Sequence, residues 1–172
     1  MRGYFFGNMY LSSIQQGIQA KHCGDEMVVK YAPRLNNEGL WEATDIDRYN
    51  QLLAYLTDHK TVICLNAGYS STLHEIYAAL NDAENPYPFN KFHESEEALD
   101  GALTCVGIVV PDAIYDTAQE VRNSRGNFGR TKVEGFNDYG EWVSEGATPV
   151  NYMFTRFQVW LINEMNKYPL AK

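Results

Sequence analysis

At 172 residues, 45% of them hydrophobic, and with a formal net charge of -8, the chain is long enough to bury one good core and too apolar to be disordered. That acidic balance excludes a broad basic face for duplex nucleic acid or tRNA backbones, which bind by releasing counterions, although it is compatible with a local basic patch. No run approaches the length of a membrane span and Met1 to Gly7 lacks the basic-then-apolar pattern of a secretion signal, so a cytoplasmic protein with no membrane partner is expected.

Tyr4, Phe5 and Phe6 are strand formers ended by Gly7, and Ser12 or Ser13 can cap a helix running from about Ser13 to Lys30. On that helix Ile14, Gly17, Ile18, Ala20, Gly24 and Val28 share one arc, predicted to lie close against a sheet because its residues are small. Gln15, Gln19, Glu26 and Lys30 are then expected to face water. Lys21 and Asp25 fall inside the arc, as a snorkelling lysine paired with aspartate, as a break at Gly24, or as an inward-pointing cation. Cys23, Cys64 and Cys105 are odd in number and widely spaced, which reads as buried thiols and fits no disulfide framework, zinc knuckle or redox pair. Cys23 and its neighbour His22 point in different directions on a helix, which argues against a catalytic pair.

Tyr31 to Ala43 reads as a loop containing Pro33, Gly39 and Trp41. Thr44 is placed as the cap of a second helix with Asp47 in its capping box and Tyr49, Leu52, Leu53 and Leu56 as its apolar side. Thr61 to Leu65 reads as a buried strand, and Ser70 or Ser71 as the cap of a third helix with Leu73, Ile76, Tyr77 and Leu80 inside. A proline-bearing turn, a strand at Phe89 to His93 and an acidic loop then lead to ALTCVGIVV, the plainest strand in the chain. Pro111 and Asp112 open a fourth helix. Strands alternating with helices in this order imply an α/β fold, a small mixed sheet flanked by helices on both faces.

A core of residues 1–122 is followed by an extension, 123–172. Its glycine-rich, aromatic first part, with Arg122, Arg125, Arg130 and Lys132, reads either as a functional lid or as a solvated linker. The last helix, from Pro149, carries Met153, Phe154, Phe157, Trp160, Leu161 and Met165. So wide an apolar face either packs across the core or makes a homo-oligomer contact, the reading preferred here.

Two stretches within residues 4–121 resemble the type II peptidyl-tRNA hydrolase family. SIQQGIQAKH is similar to that family's turn and helix with a glutamine and, three residues on, a histidine, here Gln19 and His22. LTCVGIVVPDAIYD is similar to its threonine-apolar-glycine strand and following helix, which places Thr104 and Gly107. The resemblance implies the fold described above and, if the chain is an enzyme, puts His22 and Glu94 at the catalytic positions. Ser13 and Gln15 stand where the family has lysines, and Ser95 and Glu96 where it has glycine and threonine. Losing cations and gaining carboxylates weakens binding of a polyanion such as tRNA.

The helix N-termini after the first and second apolar strands, together with the loop before Thr104, are expected to converge on one end of the sheet. They would gather Asn8, Ser12, Ser13, Gln15, Gln19, Asn66, Tyr69, Ser70, Ser71 and Thr104, with Arg125, Arg130 and Lys132 closing over from the tail. These are neutral hydrogen-bonding groups and one aromatic ring, with Trp41 a second candidate for stacking, and they suit a small phosphorylated nucleotide. Each cap has an ordinary structural reading as well, and so does His22. His93 beside Glu94 is an acid/base candidate, although neighbours on a strand point to opposite faces. The chain also looks similar to proteins of large DNA phages. The expected function is therefore capture of a nucleotide such as a cyclic dinucleotide or cyclic ADP-ribose-type defence signal, without turnover. The alternative is a hydrolase, either a divergent peptidyl-tRNA hydrolase or a nucleotide phosphodiesterase. No metal and no cofactor are expected.

Overall fold

The computed structural model describes residues 1–36, 38–43, 45–127 and 154–171, leaving aside the side chains of Trp41 and of residues 124–127. The chain forms two compact units, one of residues 1–111 joined by the C-terminal residues from Tyr168 on, the other of Asp112–Lys167.

The first unit is built on a four-stranded mixed sheet. β1 (Arg2–Gly7) runs parallel to β4 (Val62–Asn66) and antiparallel to β6 (Leu103–Val110), which in turn pairs antiparallel with β5 (Phe89–His93), giving the order β4-β1-β6-β5. All eight residues of β6 are buried, as its unbroken apolar run requires. β4 was expected to be buried; it is an edge strand, with Val62 51% exposed and only Leu65 fully covered. A short β-branched run does not distinguish the two positions. Its outer edge is met by the C-terminal residues: Leu65 and Leu170 form an antiparallel bridge, Asn66 N donates to Pro169 O at 2.9 Å, and Ala171 N donates to Cys64 O at 2.9 Å. An edge paired in this way is closed to further strands.

α1 (Ser13–Tyr31) covers one face of the sheet, but with a different side from the one predicted. The buried residues are Gln16, Gln19, Ala20, Cys23, Met27 and Tyr31, whereas Ile14 and Ile18 are 77% and 49% exposed. Gln19 is buried with both amide atoms bonded, to Thr104 and Glu94, which removes most of its desolvation cost, whereas Gln16 is buried with its Nε2 bonded to Leu11 O. The small residues that permit close packing lie on the sheet. A Cβ on Gly107 would come within 2.6 Å of Met27 Cε, and one on Gly7 within 2.7 Å of Gln16 Oε1, while one on Gly17 or Gly24 would meet nothing within 4 Å. Lys21 and Asp25 do pair, at 2.5 Å, in the open. Phe5, Ala20, Cys23, Met27, Leu52, Tyr55, Cys105 and Val109 form the core beneath this helix.

Between α1 and β4, the expected loop contains a two-residue ribbon, β2 (Arg34–Leu35) against β3 (Trp41–Glu42). Asn36 Oδ1 closes its turn by accepting from Glu38 N and Leu40 N. α2 (Ile46–Ala54) is capped by Asp45, whose side chain accepts from Arg48 N; Thr44, the predicted cap, lies outside the described residues. Leu52 is its one buried residue, and Leu53 and Leu56 are exposed, against expectation. The helix widens into a π-helical turn, Tyr55–His59, that brings Tyr55 inward. α3 (Ser70–Leu80) packs against β5 and β6 and buries Leu73, Ile76 and Leu80 as predicted. The acidic stretch read as a loop forms one short helical turn, α4 (Glu96–Leu99), capped by Ser95.

In the second unit α5 (Asp112–Asn127) reaches beyond the predicted start of the tail, and α6 (Arg156–Lys167) packs against it. Thr155 and Gln158 cap α6 reciprocally, so the described helix starts later than the predicted Pro149, which itself lies outside the described residues. Phe157, Leu161 and Met165 are buried, and Arg122 Nη2 donates to Met165 O at 2.7 Å.

Candidate functional site

The C-terminal ends of β1 and β4 lie side by side because the strands are parallel, with Gly7 opposite Asn66. The turns that follow are bonded to each other: Ala67 N donates to Gly7 O at 2.9 Å, and Met9 N to Gly68 O at 2.7 Å. Gly68 has φ +93, a conformation that favours glycine at this crossing. The two strand-to-helix junctions predicted to meet are therefore on one edge of the sheet, and the start of β6 joins them. Asn8 Nδ2 donates to Ser70 Oγ at 3.1 Å and Leu103 O at 3.4 Å, Ser70 Oγ donates to Leu103 O at 3.0 Å, and Asn8 Oδ1 accepts from Tyr10 N at 3.1 Å. Asn8 and Ser70 are thus the tie between three segments.

The two helix N-termini differ. Ser12 and Gln15 close α1 by a capping box, Gln15 N donating to Ser12 Oγ at 3.3 Å and Ser12 N to Gln15 Oε1 at 2.9 Å. These polar atoms serve the helix itself. At α3 the N-cap is Tyr69 and, among the described residues, no side chain caps the first turn, contrary to the cap expected of Ser70 or Ser71. Its leading N–H groups carry the positive end of the helix dipole without a side-chain acceptor among the described residues. Beside them the rings of Tyr10 and Tyr69 lie 5.0 Å apart at 40°, 81% and 48% exposed. Tyr10 escaped the sequence reading; the signal was an aromatic three residues past the first strand, matching Tyr69 three residues past β4. Ser13 and Ser71 are exposed nearby on their helices.

Towards β5 the same edge carries a chain of side chains from distant parts of the sequence. Thr104 Oγ1 donates to Gln19 Oε1 at 3.2 Å, and Gln19 Nε2 donates to Glu94 Oε1 at 2.6 Å. Phe92 pairs with Cys105 and His93 with Leu103, so Thr104 is the extra residue of a bulge. This irregularity turns both Thr104 and Cys105 towards α1. Thr104 and Gln19 are buried, Glu94 is half-buried, and among the described residues no partner takes its Oε2. His22, one turn beyond Gln19, is exposed and stacks on Phe92 with centroids 4.8 Å apart. His93 turns away from Glu94, its Nδ1 lying 2.9 Å from Gly101 O.

Two buried carbonyl oxygens near Gly7, Gln16 Oε1 and Asn66 Oδ1, have no hydrogen-bond partner among the described residues, while Gln16 Nε2 donates to Leu11 O at 3.1 Å. Cys23 Sγ meets Asn90 O at 3.3 Å, and burial pushes the Cys105 and Cys64 thiols up, with Cys23 adding to the effect on Cys105. These are packing thiols. The Arg125 side chain, Arg130 and Lys132 lie outside the described residues, as does the Trp41 side chain. Among the described residues, no group of three or more His, Cys, Asp or Glu side chains is placed to hold a metal ion, and no helix is long and apolar enough to cross a membrane. Comparison with protein-family models finds no match for this chain, and comparison with curated proteins finds none either.

Proposed function

We propose that this edge of the sheet binds a small phosphorylated nucleotide and holds it without turnover. One observation carries the reading: an exposed tyrosine pair stands beside an α-helix N-terminus that no side chain among the described residues caps. The first-turn N–H groups of Ser70, Ser71 and Thr72 suit a phosphate, and the Tyr10 and Tyr69 faces suit a base. Backbone amides do this work in a chain of net charge -8, so the site favours a small ligand over a long polyanion. The resemblance to type II peptidyl-tRNA hydrolases and to phage proteins belongs to the same proposal, and directs the ligand search to cyclic dinucleotides and cyclic ADP-ribose-type defence signals. The test is a thermal-shift panel of cyclic and linear nucleotides, followed by heat release and mass analysis of the ligand. Release of an intact nucleotide supports capture; a cleaved product contradicts it.

The Thr104, Gln19 and Glu94 chain favours a second reading, a hydrolase. One oxygen of Glu94 is held by Gln19, leaving the other to take a proton from an attacking water, with His22 one turn away. That reading requires turnover of substrate in excess over protein and its loss in Glu94→Gln with the fold intact.

A further inference from the structure

The outer face of α1 carries a seam whose apolar side chains are left exposed by the described residues. Ile14, Ile18, Lys21, Asp25 and Val28 follow one another at spacings of four, three, four and three, the repeat of a helix that packs against another helix. All five side chains are on the exposed side, the Lys21 and Asp25 side chains 70% and 58% accessible. Gly17 and Gly24 flank the seam, where a Cβ would meet nothing within 4 Å. Glycine is a poor helix former, and here it gains no intramolecular contact in return.

We infer that α1 is a self-association surface whose partner is a second copy of this chain, related by a twofold axis passing the helix near residue 23. In an antiparallel pair centred there, Ile18 lies against Val28 of the second copy and Lys21 against Asp25 of the second copy. Each contact occurs twice, as a twofold interface demands. The charge pattern is what selects this partner: the helix carries lysine before and aspartate after the axis, so its reversed copy presents the opposite sign at each position. Within one helix the order lysine then aspartate is the less favourable one for an i,i+4 pair, whereas across the axis the order does not matter. Gly24 faces the second copy beside the axis and lets the backbones approach. The paired stretch, Ile18–Val28, spans about 15 Å of helix, ten rises of 1.5 Å, and Ile14 lies beyond it. That is short of a standard interface, so the association is weak and reversible, with a dissociation constant on the order of tens of micromolar or higher.

Sedimentation velocity of the full chain over a range of concentrations tests this, with Lys21→Glu, the double variant Lys21→Glu/Asp25→Lys, and Ile18→Asp. The expected result is a concentration-dependent dimer that Lys21→Glu and Ile18→Asp each weaken by at least about tenfold, because like charges or a buried carboxylate then meet at the axis. The double variant restores it to near the wild-type value. Circular dichroism establishes that each variant is folded, as substitutions at exposed helix positions should be. A chain that stays monomeric at the highest concentrations overturns the inference. So does a dimer indifferent to all three changes, which would use another face.

Discussion

Gly107→Ala adds one methyl group at the most closely packed point of the sheet. Gly107 lies in β6 opposite Phe5 and Asn90, and the new Cβ would stand 2.6 Å from Met27 Cε and 2.7 Å from Phe5 Cδ1 and Cε1. Ordinary carbon contacts are near 3.5–4 Å, so α1 must move out from the sheet by roughly an ångström or both side chains must leave their rotamers. Neither has space, since Met27 and Phe5 are themselves buried. Overpacking of this kind costs about 1–3 kcal/mol, and exchanging glycine for alanine in a strand returns about 0.5–1 kcal/mol. The balance is a loss of about 0–2.5 kcal/mol, a fall in midpoint of up to roughly 10 °C for a chain this size. Gly17→Ala is the same chemical change where the Cβ meets nothing, and in a dilute, monomeric sample it should stabilise by about 0.5–1 kcal/mol. Thermal unfolding followed by circular dichroism gives both numbers. A rise for Gly107→Ala or a fall for Gly17→Ala would refute the placement of α1 against the sheet.

Gln19→Leu should destabilise by about 1–2 kcal/mol in urea unfolding, because Glu94 loses a charge-assisted hydrogen bond that water partly replaces; Thr104 keeps Phe92 O as a second acceptor at 3.4 Å. An unchanged midpoint and slope would mean that the Thr104 to Glu94 chain does not form. Burial, helped by Cys64, pushes the Tyr55 hydroxyl from 10.0 up to about 12. Its stabilising contribution is therefore complete below pH 10 and is lost as pH rises through 12, since the unfolded chain gives up that proton first. Tyr55→Phe should flatten this alkaline fall, and curves of equal slope would contradict it. Lys30 acts in the opposite sense, because burial and then Arg48 lower its pKa, so stability gains from it as pH rises towards 10.5. The buried Cys23 and Cys105 should stay unreactive towards a thiol reagent at neutral pH until denaturant is added; rapid native labelling would contradict their packing role.

Features written in one local stretch were legible from sequence. The apolar run of β6, the strands at Tyr4 to Phe6 and at Phe89 to His93, and the serine before α1 appear where predicted. Features that depend on a distant partner were not. Gln19 reads as solvent-facing because its partners, Thr104 and Glu94, lie far along the sequence, and nothing in the sequence singles out Gln16. With Gln16 and Gln19 buried, the inner face of α1 lies about a third of a turn from the predicted hydrophobic arc, leaving Ile14 and Ile18 outside. Likewise, glycines in α1 suggested close approach from the helix, whereas Gly7 and Gly107 provide it from the sheet. The convergence of the two junctions followed from strand-helix order alone, but the division of labour between them did not. Ser12 and Gln15 satisfy α1, whereas α3 starts at Tyr69 without a side-chain cap, a difference set by Ser70 turning to Leu103 and Asn8.

The central claim, that the tyrosine pair and the start of α3 hold a nucleotide, is tested most directly by titrating the full chain with cyclic and linear nucleotides beside the Tyr10→Ala/Tyr69→Ala variant. The account predicts saturable binding by wild type and a stabilisation of about 2.7 kcal/mol at a hundredfold excess over the dissociation constant. It also predicts loss of binding in the folded variant and recovery of the ligand intact. Failure of every nucleotide to bind, or equal binding by the variant, would contradict it.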